Sequence, residues 1–160
     1  MRQDVEPLEA GVWLGQLRKL ASRRYRGDEK LAAALRRGFH LAVLAPRPLQ
    51  HLVGCGLSES EFEQLLEANA LFSAALALLG GGLDYSLSHI NEVGRVEAEV
   101  WFSSDCRGGV GGASSAPAAI FRAWLNCLCA LESAAPGEMP LSPPIRRRWL
   151  SERRPRLTEH

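Results

Sequence analysis

Lysine is almost missing from this chain: of 19 basic residues only Lys19 and Lys30 are lysines, and the rest are arginine. No lysine closes a Gly-x-x-x-x-Gly-Lys run, so a P-loop is excluded. Long apolar runs are missing too. The most apolar stretch, Ala68–Leu83, spans 16 residues and holds Asn69, Ser73 and three consecutive glycines. A bilayer span needs roughly 20, so the stretch reads as a core helix stopped at Gly80, and no membrane contact is expected. Four cysteines in 160 residues do not make a disulfide scaffold. The polar start, Met1–Glu9, predicts no secretory signal, so the cytoplasm, with reduced thiols, is the expected location. With 46% hydrophobic and 23% charged residues, the composition is that of an ordinary globular protein.

Known chemistry is equally scarce. Gly80–Gly82 and Gly108–Gly112 lack the strand, Gly-x-Gly-x-x-Gly and helix order of a dinucleotide site. The second run precedes a helix whose N-terminal amides could hold an anion, but it reads first as a flexible loop. The metal-ligating types are His40, His51, Cys55, His89, Cys106, Cys127 and Cys129. Cys127 and Cys129 are one residue apart, whereas zinc knuckles need two to four intervening residues. Cys106 lies between Asp105 and Arg107, where a cation could lower a thiol pKa, with His89 on a preceding strand. Such a set arises by chance in a chain of this size, and nothing else points to nucleophilic catalysis. The expectation is a protein that is not an enzyme and carries no cofactor or metal.

The apolar periodicity predicts helices in the first half. Leu8, Val12, Leu17, Leu20 and Ala21 form one stripe after Pro7. Leu31, Ala34, Leu35, Phe39, Ala42 and Val43 form a second, behind Asp28 and ended by Pro46 and Pro48. Gly38 weakens that helix. Ser58 with Glu61 is a capping box, and Leu57 with Phe62 has the spacing of a hydrophobic staple. The third helix is expected to run from there to Gly80, with Phe62, Leu65, Leu66, Asn69, Phe72, Ser73 and Leu76 on one face.

The period then changes to two. Leu83, Tyr85, Leu87 and His89 alternate with polar residues, and so do Val96, Ala98, Val100 and Phe102. An antiparallel hairpin over about 83–90 and 96–102 follows. A lone hairpin is unstable in water, so it must pack on helices or gain strands from elsewhere, which leaves an exposed sheet edge. Ser103–Pro117 reads as a mobile loop. A last helix carries Ile120, Trp124, Cys127, Leu128 and Leu131. The expected fold is α+β: four main helices on a small antiparallel sheet, with 1–135 as one domain and 136–160 as a Pro/Arg-rich tail.

Charge is segregated. Arg18–Arg37 holds eight basic and two acidic residues; Ser58–Glu99 holds eight acidic and one basic; Ser142–His160 holds six basic and two acidic. Either the opposite segments pair internally, or each patch steers a partner. The partner-binding candidates are Glu59, Glu63, Glu67, Glu97, Glu99 and Trp101 on the acidic side. On the basic side they are Arg146, Arg147, Arg148, Trp149, Arg153 and Arg154, since an arginine cluster suits an acidic protein or a phosphate backbone. Leu49–Ser60 resembles the turn of a helix-turn-helix protein. The helix that would enter the groove, however, exposes Glu59, Glu61, Glu63 and Glu67, which oppose a phosphate-lined surface.

Residues 62–132 resemble small phage-type alpha-beta-alpha sandwich proteins. The likeness rests on a helix, two strands, a Gly-rich loop and the helix start Ser115-Ala116-Pro117-Ala118-Ala119-Ile120-Phe121-Arg122-Ala123. It implies a phage or mobile-element accessory protein, with inhibition of host defence machinery as an expected role. Leu65–Phe72 with the following Gly-rich break and strands is similar to type III secretion chaperones, which implies an apolar client surface. The resulting expectation is a non-enzymatic protein-interaction protein. Its competitors are a nucleic-acid binder using the arginine clusters and a secretion-type chaperone. A homodimer through the hairpin edge or Trp101 is compatible with either.

Overall fold

The computed structural model describes residues 5–90, 94–103 and 107–131. The elements in chain order are α1 (Ala10–Ala21), α2 (Asp28–Val43), a 3-10 turn (Arg47–Leu49), α3 (Gln50–Val53), α4 (Glu59–Glu67), α5 (Leu71–Leu79), β1 (Leu83–Ile90), β2 (Arg95–Phe102), β3 (Gly108–Ala113) and α6 (Ala116–Ala130). The class is α+β, as the periodicity predicts, with helices on a three-stranded antiparallel meander ordered β1-β2-β3.

Two expectations are corrected. The segment 103–117 is not a loop throughout, because Gly108–Ala113 is a third strand pairing Trp101 with Gly108 and Val96 with Ala113. Its glycines are there for packing. A Cβ at Gly109 would collide with Cys127 N and Ala123 O, and one at Gly111 with Ala123 N and Ala119 O. The α6 backbone therefore sits directly on β3, a close approach only glycine permits.

The third helix is also two helices. Ala70 N donates to Leu65 O at 2.8 Å and Asn69 N to Leu66 O at 3.0 Å, and Asn69 has φ 54°. This 6→1 and 5→2 pair is a Schellman closure with Asn in the left-handed position. It ends α4 and turns the chain into α5. The Ser58–Glu61 capping box forms as the sequence predicts: Glu61 N donates to Ser58 Oγ, and Ser58 N donates to Glu61 Oε2.

The core is a helical layer centred on α6. This helix is buried nearly all round, from Ala118 to Leu128, which marks it as the central element. One flank lies on β3 and β2, and the others meet α5 and α1. Trp13 of α1 is fully buried and donates from Nε1 to Leu41 O at 2.7 Å, which ties α1 to α2. Gly38 has a packing role as well: a Cβ there would meet the Phe121 ring at 2.7 Å. Val96, Ala98, Val100 and Phe102 are buried against the helical layer, while no described residue on the opposite face of the sheet is buried. Among the described residues no helix is long and apolar enough to cross a membrane.

Candidate functional site: an arginine-lined cleft

The expected acidic surface falls into two groups on different layers. Glu59, Glu63 and Glu67 stand on α4, which packs on α2 and α5. Two of the three pair directly with basic side chains. Arg36 Nε donates to Glu63 Oε1 at 2.6 Å and Arg36 Nη2 to Oε2 at 2.8 Å, while His40 Nε2 lies 3.1 Å from Glu59 Oε1. The hydrogen bonds from Arg36 hold the Glu63 carboxyl below the usual carboxylate range. Part of the charge segregation is thus spent on internal pairing.

Glu97, Glu99 and Trp101 project together from the open face of β2, since they alternate with the buried Ala98 and Val100. Glu99 and Trp101 are half-buried and Glu97 is exposed. Burial, reinforced by the charge of Glu97, pushes the Glu99 carboxyl up. Arg146, Arg147, Arg148, Trp149, Arg153 and Arg154 lie outside the described residues.

The structure instead assembles a basic site that the linear charge run only half shows. Two adjacent cavities, of about 440 and 380 Å³, share Arg24 and Tyr25. The first is completed by Arg23, Lys30 and Arg37, the second by Arg26, Arg95 and Arg122. Among the described residues no carboxylate lines either one.

Four separate parts of the chain converge here, with α2 supplying Lys30 and Arg37. The segment between α1 and α2 supplies Arg23, Arg24 and Arg26. The start of β2 supplies Arg95, which lies over Gly112. The second turn of α6 supplies Arg122, whose Nη2 donates to Arg23 O at 3.0 Å and so pins the segment to the helix. Tyr25 anchors it from within: its hydroxyl donates to Leu20 O at 2.6 Å, and its ring packs 5.8 Å from that of Phe121. Burial raises the Tyr25 pKa, and Arg23, Arg122 and Arg37 partly offset this by favouring the phenolate. Those guanidinium groups are thus close enough to be felt.

Such a cluster is self-repelling without an anion and is relieved by one. Arginine adds a planar fork that takes carboxylate or phosphate through two parallel bonds. Arg23–Arg37 could be found as a charge run, but Arg95 and Arg122 join it from distant sequence, and no local pattern announces them.

The other chemical candidates are scattered. Cys55 and Cys129 are half-buried thiols pushed up by burial, and the buried Cys127 donates from Sγ to Arg107 O at 3.8 Å. His89 is exposed on β1, and Cys106 lies outside the described residues. Among the described residues no three His, Cys, Asp or Glu side chains converge as a metal site would require. The 49–60 segment holds a four-residue helix followed by non-helical Gly54–Ser58, too short for the first helix of a helix-turn-helix.

No protein-family model, curated protein or solved structure matches this chain.

Proposed function

We propose that the protein is a non-enzymatic binding protein that engages an acidic segment of another protein through the Arg24–Arg122 cleft. The observation that carries this reading is the convergence of Arg24, Arg26, Arg95 and Arg122 around Tyr25, with no carboxylate among the described lining residues. Arginine and tyrosine are the side chains that protein interfaces favour at their centres. A phosphate backbone would offer the same anions. Against it, Glu97 pairs in register with Gly112, a lining residue, and Glu99 follows on the same face. A mixed-sign rim suits a patterned protein surface and repels a uniformly charged strand. An accessory role against host machinery, as the phage-type resemblance implies, would use this cleft as its grip.

The test is a pull-down from nuclease-treated lysate with the full chain and with Arg24→Glu/Arg26→Glu, followed by reconstitution with the purified partner. The expected result is a stoichiometric protein partner that survives nuclease and loses at least tenfold in affinity in the variant. Recovery of nucleic acid alone, with a steep loss of affinity between 50 and 200 mM salt of the kind phosphate contacts give, would replace this reading with nucleic-acid binding. Unchanged affinity in the variant would place the interface elsewhere.

A further inference from the structure

The two edges of the sheet are chemically different. Phe102 N donates to Arg107 O at 2.8 Å, and Ser103 N donates to Gly82 O at 3.1 Å. Residues of an antiparallel strand alternate between the two neighbours they bond, so these two bonds set the parity of the whole sheet. Phe102, Val100, Ala98 and Val96 bond to β3. Trp101, Glu99, Glu97 and Arg95 bond to Asp84, Ser86, Ser88 and Ile90 of β1, their partners in register. The N–H and C=O groups of Tyr85, Leu87 and His89 therefore point outward from the edge of β1, where no described strand pairs with them.

The β3 edge is protected. Its outward carbonyl at Val110 accepts from Asn126 Nδ2 at 2.7 Å, and α6 lies across the strand. The β1 edge has none of the usual guards: no proline, no lysine, no bulge in its eight-residue register, and one formal charge, Asp84. Because α6 sits mainly over β3 and β2, β1 also overhangs the helical layer. Tyr85, at 42% exposure, Leu87 and His89 form a partly apolar shelf on that side.

We propose that β1 pairs with β1 of a second copy about a two-fold axis at Leu87, joining two sheets into one. The strand is self-complementary in this register. Leu87 meets its own copy, and Tyr85 meets the second copy's His89 at both ends of the shelf. All three pairs are made of edge-facing residues, so each exchanges both of its backbone bonds.

Charge selects this register over its neighbour. Centred on Leu87, Asp84 lies opposite the second copy's Ile90, whose register partner is Arg95. Asp84 then faces an uncharged side chain, and the second copy's Arg95 adds no like charge, its guanidinium lying one strand farther off, over Gly112. Centred on Ser86 instead, Asp84 lies opposite the second copy's Ser88, whose partner is Glu97, and like charges meet.

The experiment is light scattering on the full chain from 1 to 200 μM, with Leu87→Pro and Ser86→Pro. Leu87 has its N–H at the edge, so proline there spares the β1–β2 ladder. Leu87→Pro should be a folded monomer with wild-type circular dichroism, and the wild type a dimer. Ser86→Pro removes a ladder bond and should lower Tm as well. A second experiment fixes the register. Ser86→Cys mixed with Ser88→Cys should give a mixed disulfide, because those positions face each other as a close pair. A monomeric wild type at 200 μM overturns the proposal, as does a dimer that survives Leu87→Pro. Efficient cross-linking of Ser86→Cys alone overturns the register. Neither experiment involves Arg24 or Arg26, so failure here leaves the cleft reading standing.

Discussion

Arg36 and Glu63 clasp each other across the α2–α4 contact through two parallel bonds, of 2.6 and 2.8 Å. Glu63 carries a sequence-level expectation of partner binding, and its side chain is already engaged within the fold. Both groups are substantially solvated, so the pair contributes at most about 1 kcal/mol. Glu63→Lys should lower Tm by about 2–4 °C, and the swap Arg36→Glu/Glu63→Arg should recover most of it. The carboxyl pKa is depressed in the folded state. Its stabilisation is therefore complete above the unfolded carboxylate value and is lost as pH falls through the lower folded value. Thermal melts of the cycle at pH 7 and pH 3 check both points: the Glu63→Lys deficit should shrink at the lower pH.

Gly111→Ala should cost at least about 3 kcal/mol, the upper end for overpacking, because a Cβ there meets α6 backbone rather than a movable side chain. Gly15→Ala in α1 has nothing within 4 Å and should instead stabilise by about 0.5–1 kcal/mol. Urea titration of the two variants separates them, and equal effects would contradict the direct seating of α6 on β3.

Asn69→Val should cost about 1–2 kcal/mol, the penalty of a left-handed conformation, and Asn69→Gly should lie within about 0.5 kcal/mol of wild type. Valine carries an additional small loss, the 3.3 Å bond from Asn69 Nδ2 to Asp28 Oδ2. Glycine loses that bond too, so the difference between the two variants reports the backbone alone.

Glu99 should show the opposite pH dependence to Glu63. Its folded pKa is raised by burial and by Glu97, so the folded state holds the proton more tightly than the unfolded one. This contribution opposes folding above the folded pKa and vanishes below the unfolded pKa. Glu99→Gln should accordingly raise Tm at pH 7 and leave it unchanged near pH 3.

The legible parts of the sequence were those where local pattern and tertiary demand agree. The 95–102 strand alternates cleanly because one face of it meets helices, the 83–90 strand alternates in sequence although only Leu83 is buried, and Ser58–Glu61 caps α4 by purely local bonds. The third strand is hidden because its glycines serve the helix above it; a stretch of Gly108-Gly109-Val110-Gly111-Gly112 carries no side-chain period to read. The break at Asn69 is hidden for a related reason. Apolar spacing continues across it, and only the left-handed preference of asparagine marks the turn. The cleft is legible as a charge run through Arg37, but Arg95 and Arg122 enter it by topology.

The bond from Asn126 to Val110 has a consequence for how many molecules can join. A sheet with two equivalent bare edges adds copies without limit and grows into a fibre. With one edge stoppered by a helix side chain, pairing at the other uses up the last open edge among the described strands. The pairing proposed above would then close at two, with no described strand edge left in either copy to recruit a third.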